Sequence, residues 1–273
     1  MNIKRVGYCA RNWYMIPAII AALCTLSFSV SAADGDNLTF FERLVSARPM
    51  ISPSTSVATP VAFGVGWGTV FVGVTGQTGT TFSGQPFGSY AAGFGLGDAN
   101  RYVALTTTVT SGGLDEVTRD GNLNFQVSRN LFPDTAIAVG VENVAPWGAD
   151  RDNKMNTYLV ASKVFSFCLS GNYTLNVIGT LGAGNSRFVQ NFREDQDHND
   201  VNTVRPFGSV GILVLPQAAL MIDYVGLTWN AGISAVPFQS FPIVVSVSAE
   251  DLTNRGGNHI PIVGAIGYSW TFA

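Results

Sequence analysis

The sequence predicts an all-β fold: a transmembrane, up-and-down antiparallel β-barrel of about twelve strands that follows a cleaved signal peptide. Three observations carry this expectation. Hydrophobic residues make up 47% of the 273 positions and charged ones only 12%, about half the charge of an ordinary soluble domain. Outside the N-terminus, however, no apolar run approaches the roughly 20 residues that a spanning helix needs. From Val61 onward the apolar period is two, and the connections between strands mostly alternate short and long.

The first 32 residues read as a secretory signal peptide. Lys4, Arg5 and Arg11 precede an apolar core from Met15 to Val30, and the small residues Ser31, Ala32 and Ala33 follow. Removing those three cations from the 15 basic residues leaves 12 against 18 acidic ones, so the mature chain carries −6. Such a balance gives no support for nucleic-acid binding. Cys9 and Cys24 leave with the signal and Cys168 remains alone, which excludes an intrachain disulfide and favours a small buried or interfacial residue. Residues 33–60 form a segment of another character, with Leu38, Phe41, Leu44 and Val45 at helical spacing before Pro49, Pro53 and Pro60. It reads either as a periplasmic tail or as a plug folded into a barrel lumen.

The barrel is expected over residues 61–273. Val61, Phe63, Val65, Trp67 and Phe71 alternate with Ala62, Gly64, Gly66 and Gly68. Leu123, Phe125 and Val127 alternate with Asn122, Asn124, Gln126 and Ser128, as do Tyr173, Leu175 and Val177 with Asn172, Thr174 and Asn176. Strands are expected near 61–75, 86–97, 101–111, 120–129, 134–144, 156–165, 172–182, 204–214, 219–228, 230–237, 242–249 and 259–272. Short connections lie around Asp98–Asn100, Asn130–Pro133, Ser166–Gly171, Leu215–Gln217 and Phe238–Phe241. Longer ones lie around Gly76–Gln85, Gly112–Arg119, Ala145–Met155, Ala183–Thr203 and Ala249–Asn258. A barrel whose rims face different compartments produces this alternation. One connection, near Trp229 and Asn230, is short where a long one is expected.

The last strand has Ile260, Ile262, Gly264, Ile266, Tyr268, Trp270 and Phe272 on one face and Pro261, Val263, Ala265, Gly267, Ser269 and Thr271 on the other. It exceeds the 9–11 or so tilted residues that cross a bilayer. Its end, carried by Gly267, Tyr268, Trp270 and Phe272 with Ala273 after the final aromatic, resembles the C-terminal insertion signal of bacterial outer-membrane barrels. The resemblance implies a porin-like protein of the bacterial outer membrane. It also implies outer-membrane lipid and the barrel-assembly machinery as partners, the latter met through this strand.

Candidate functional residues are few. Glu142, Lys163 and Asp223 fall opposite the apolar set of their strands, an expected position inside the lumen where charge is tolerated and would set selectivity. Arg101, Arg129 and Arg205 are expected near strand ends at the periplasmic rim. Asp195, Asp197 and Asn199 repeat three ligand positions of a calcium loop, but Asp200 replaces the required Gly and Pro206 the bidentate Glu. That stretch is a loose divalent-cation site or a solvated acidic loop. His198 and His259 fall in or beside long loops with no nucleophile at a spacing that marks a triad, so no enzyme and no cofactor is expected. Gly93, Gly95 and Gly97 read as strand glycines, since no Lys and no helix pattern follows. The functional expectation is a channel for small solutes, with a closed structural or surface-interaction barrel as the alternative.

Overall fold

The computed structural model describes residues 52–79, 86–112, 119–148, 154–168, 174–188, 203–226, 228–238, 241–254 and 260–272. Among these, twelve strands are formed: β1 (Thr69–Gln77), β2 (Phe87–Gly97), β3 (Ala104–Gly112), β4 (Asp120–Phe132), β5 (Thr135–Trp147), β6 (Asn156–Cys168), β7 (Thr174–Gly184), β8 (Arg205–Leu215), β9 (Ala218–Val225), β10 (Thr228–Ala235), β11 (Ile243–Ala249) and β12 (Ile262–Thr271). Each pairs antiparallel with its sequence neighbours, and β1 pairs with β12 from Thr69↔Thr271 to Gln77↔Val263, closing the barrel. Closure matters physically because it leaves no strand with an unpaired row of backbone groups.

The strand ends define two rims. The connections after β2, β4, β6, β8 and β10 lie at one rim with the end of β12, and that after β4 is only two residues long. The connections after β1, β3, β5, β7 and β11 lie at the other and are mostly longer. The short link after β9 is genuine: Gly226 takes φ +62 there, a left-handed conformation in which a Cβ would collide with the Phe188 carbonyl. The twelve-strand reading therefore holds through its one irregular connection.

On the outside, every strand presents at least one exposed large apolar side chain. Val72 of β1, Phe94 of β2, Val139 of β5, Leu159 of β6, Leu181 of β7 and Ile266 of β12 are examples. The inward face is different. It carries hydroxyl and amide groups paired across strands, as in Thr75 with Ser89 at 2.7 Å, Ser162 with Thr180 at 2.9 Å and Ser166 with Asn176 at 2.7 Å. Among these sit apolar clusters: Ala136, Ala138, Tyr158, Val160, Phe188 and Phe207 form one, and Val164, Ile178, Leu213 and Ala219 another.

The first strand differs from the sequence expectation. Alternation begins at Val61, yet β1 starts only at Thr69. Residues 52–66 are not in the wall but inside it, packed against inward-facing side chains from β10 round to β2. Phe63 touches both interior clusters and Ala62 is wholly buried in the larger. The alternating pattern arises because a chain lying between a packed wall and a water-facing space also has two unlike sides.

Candidate functional site

Residues 52–66 are held by their own backbone, and the wall supplies the side chains. The Asp223 carboxylate, fully buried on β9, accepts the backbone N–H groups of Val57 (3.0 Å), Ala58 (2.7 Å) and Thr59 (2.9 Å) and the Ser56 hydroxyl (2.9 Å). Successive N–H groups converging on one anion form a nest. Here the anion belongs to the barrel and the nest to the segment. On either side of it, Ser54 N–H donates to Ser234 Oγ on β10 and Ala62 N–H to Ser162 Oγ on β6, both at 2.9 Å. Further along, Gln126 Nε2 donates to Val61 O, and Val65 N–H donates to Thr106 Oγ1.

Glycines on the wall make room for this path. A Cβ at Gly95 would collide with the carbonyl oxygens of Val65 and Gly66, and one at Gly211 with Thr55. The Gly93, Gly95, Gly97 pattern thus marks a strand of close backbone approach.

A second anchor comes from a 3-10 turn, Ser186–Phe188, in the connection after β7. Arg187 Nη1 donates to Ala58 O at 3.1 Å and Nη2 to Glu142 Oε1 at 2.9 Å, while Nε pairs with the other carboxylate oxygen. Asn156 links the assembly: its Nδ2 donates to Glu142 Oε2 and its Oδ1 accepts Arg187 N–H. The guanidinium lies 4.4 Å from the Phe188 ring centre, and Phe188 stacks on Phe207 at 4.3 Å. Tyr158 meets both rings edge-on and donates its hydroxyl to Gln126 Oε1.

The segment leaves part of the interior unfilled. A cavity of about 440 Å³ lies between residues 54–58 and the wall of β1, β2, β11 and β12, lined by Thr75, Gln77, Ser89, Ser246, Ser248 and Glu250 among others. A second cavity of about 300 Å³ shares Ser54, Thr75, Ser89, Ser246 and Ala265 with it and extends past Ser269 toward the short-turn rim. Gly73 and Gly267 face each other across the β1–β12 seam, with only backbone within 4 Å of a Cβ on either.

Of the residues singled out from sequence, Glu142 and Asp223 come together with the inner segment, the first through Arg187 and the second directly. Lys163 does not. On β6 the buried residues are Asn156, Tyr158, Val160, Ser162 and Val164, so Lys163 points outward with Leu159 and Ala161. It is 48% exposed and pairs with Asp134 at 3.5 Å in the turn after β4. Both faces of β6 are apolar because the inner one packs on Phe63, and the rule that the apolar face meets lipid cannot choose between them.

Arg101 pairs with Asp98 at the short-turn rim, and Arg129 lies near the same end of β4. Arg205 begins β8 and sits at the long-loop rim, a correction to its expected place. Cys168 is exposed at the end of β6, not buried. Tyr268, Trp270 and Phe272 are all exposed, the last two with rings 5.8 Å apart. Asp195, Asp197, Asn199 and Asp200, with His198 and His259, lie outside the described residues.

Sequence reasoning missed Arg187, which reads as one cation in a long polar loop. It also missed the run Ser56-Val57-Ala58-Thr59, whose contribution is made by backbone N–H groups that no residue type announces. The buried Phe188 beside Arg187 was the available signal, an aromatic where a solvated loop has no use for one.

No protein-family model and no curated protein matches the chain. Solved structures similar to it include a channel and a transporter. The COG4313 outer membrane channel from Pseudomonas putida F1 is 12% identical with a TM-score of 0.44, covering 80% of this chain and 100% of its own. The Ralstonia pickettii toluene transporter TbuX is 10% identical with a TM-score of 0.31, covering 75% of this chain and 64% of its own.

Proposed function

We propose that the chain is a bacterial outer-membrane channel for small solutes whose lumen is narrowed by its own N-terminal segment. The membrane assignment is supported by the apolar exterior. Every strand of the closed barrel carries exposed large aliphatic or aromatic side chains, whereas exposed apolar residues scattered singly are what a soluble monomer shows. Aromatic residues gather toward both strand ends, Tyr224 and Trp229 at one and Trp270 and Phe272 at the other. This is the girdle arrangement of interfacial rings.

The single observation that carries the channel reading is the pair of cavities along β1, β2, β11 and β12, which share five lining residues; the hydroxyls of Ser54, Thr75, Ser89 and Ser246 line both, while the second also has an apolar side of Phe71, Val74, Ala91 and Val244. A hydroxyl-lined passage replaces part of a solute's hydration shell without holding it. The test is single-channel recording of the purified full-length protein in planar bilayers. Small stepwise currents are expected. A flat baseline from folded protein would favour the closed structural barrel, a second reading supported by the many hydrogen bonds that fix residues 52–66 in the lumen.

A further inference from the structure

Charge in the lumen is mostly committed to structure. Asp223 is spent on the nest, and Glu142 and Arg187 neutralise each other. Among the described residues, the ionisable ones that line the larger cavity are Arg187 and Glu250. Glu250 follows β11 at the long-loop end, and its backbone N–H donates to Pro261 O. Its carboxylate makes no hydrogen bond or ion pair among the described residues. The strands around the cavity add Thr75, Gln77, Ser89, Ser246 and Ser248, none of them ionisable.

Building on the channel reading, we propose that Glu250 is the selectivity-determining residue of the passage and makes it prefer small cations over anions. The geometry is that of a carboxylate with no direct hydrogen-bond or ion-pair partner among the described residues, beside a confined space lined by hydroxyl groups. Between low-dielectric walls a charge acts with less screening than at an open surface. Cations gain its attraction along with hydroxyl oxygens as ligands, whereas an anion meets repulsion and the committed Arg187 offers little in return. Lys163, on the outer face, and the paired Glu142 play no part in this preference.

The same placement makes the preference sensitive to pH. Burial raises the Glu250 carboxyl above the ordinary glutamate range. Asp223 adds to this and Arg187 opposes it, the charged groups that act on it among the described residues, with Glu142 paired to Arg187. A raised carboxyl takes up its proton earlier as pH falls, so cation preference weakens on acidification and does so at higher pH than an ordinary glutamate would allow.

Reversal potentials in a potassium chloride gradient test the proposal. The wild type is expected to favour potassium, Glu250→Gln to bring the permeability ratio close to unity with stepwise currents retained, and Glu250→Lys to invert it. Heat-modifiable migration checks that each variant is folded. If neither variant folds, acidifying the wild type decides, since a permeability ratio that stays unchanged as pH is lowered until the carboxyl is protonated overturns the proposal. An unchanged ratio in conducting Glu250→Gln overturns it too while leaving the channel reading intact. Absence of currents from the wild type overturns both.

Discussion

Asp223 shows how one side chain can fix a segment that has few anchoring side chains of its own. Its carboxylate replaces water for three backbone N–H groups and one hydroxyl, and charge-assisted bonds of this kind are each stronger than neutral ones. Asp223→Ala strands those donors in a buried place, at a cost of about 2–4 kcal/mol. The variant is expected to remain a barrel but to release residues 52–66. Limited proteolysis, expected to spare this stretch in the wild type, should then cut there. Lys163→Gln has the opposite expectation. Its pair with Asp134 is half exposed at the rim, so stability should change by less than about 1 kcal/mol and the reversal potential not at all. A selectivity shift in this variant would place Lys163 in the permeation path after all. Residue roles were the least legible level of the sequence. Asp223 and Glu142 stand out as rare charges inside strands. Their partners are a backbone turn and a loop arginine that only tertiary packing brings within reach.

Elements were far more legible. The strands expected from period-two alternation and turn residues coincide with those formed to within a few residues along β2 to β12, because alternation is imposed by a wall with unlike faces. The misreading at Val61 has the same cause, since residues 61–66 also lie between unlike surroundings. What separates that stretch from β1 is Gly95 on the neighbouring strand, which allows the Val65 and Gly66 carbonyls to approach the wall. Gly95→Val is accordingly expected to dislodge the inner segment without disturbing the β1–β2 pairing, whose register continues to Val70↔Phe94. The check is a lower thermal midpoint, by a shift typical of overpacking at about 1–3 kcal/mol, together with an unaltered strand signal by circular dichroism. An unchanged midpoint would mean that residues 65 and 66 do not press on β2.

At the scale of the whole molecule, closure between β1 and β12 gives the barrel its exterior, and the inner segment gives it its interior. Twelve strands enclose a lumen wide enough for a segment of some fifteen residues, and that segment occupies one side and leaves the other, along the glycine-lined seam, open. The sequence disclosed the closed wall through its even strand count and aromatic end. It left the interior undecided between tail and plug, since nothing in residues 33–60 states which groups wait for them on the far side of the barrel. Paired single-channel recordings of the full-length protein and a variant lacking Asp34 to Ala58 are the most direct test of a lumen narrowed by its own N-terminal segment. Small stepwise conductance is expected for the first and a clearly larger conductance for the second, and equal conductance in the two folded proteins would contradict that narrowing.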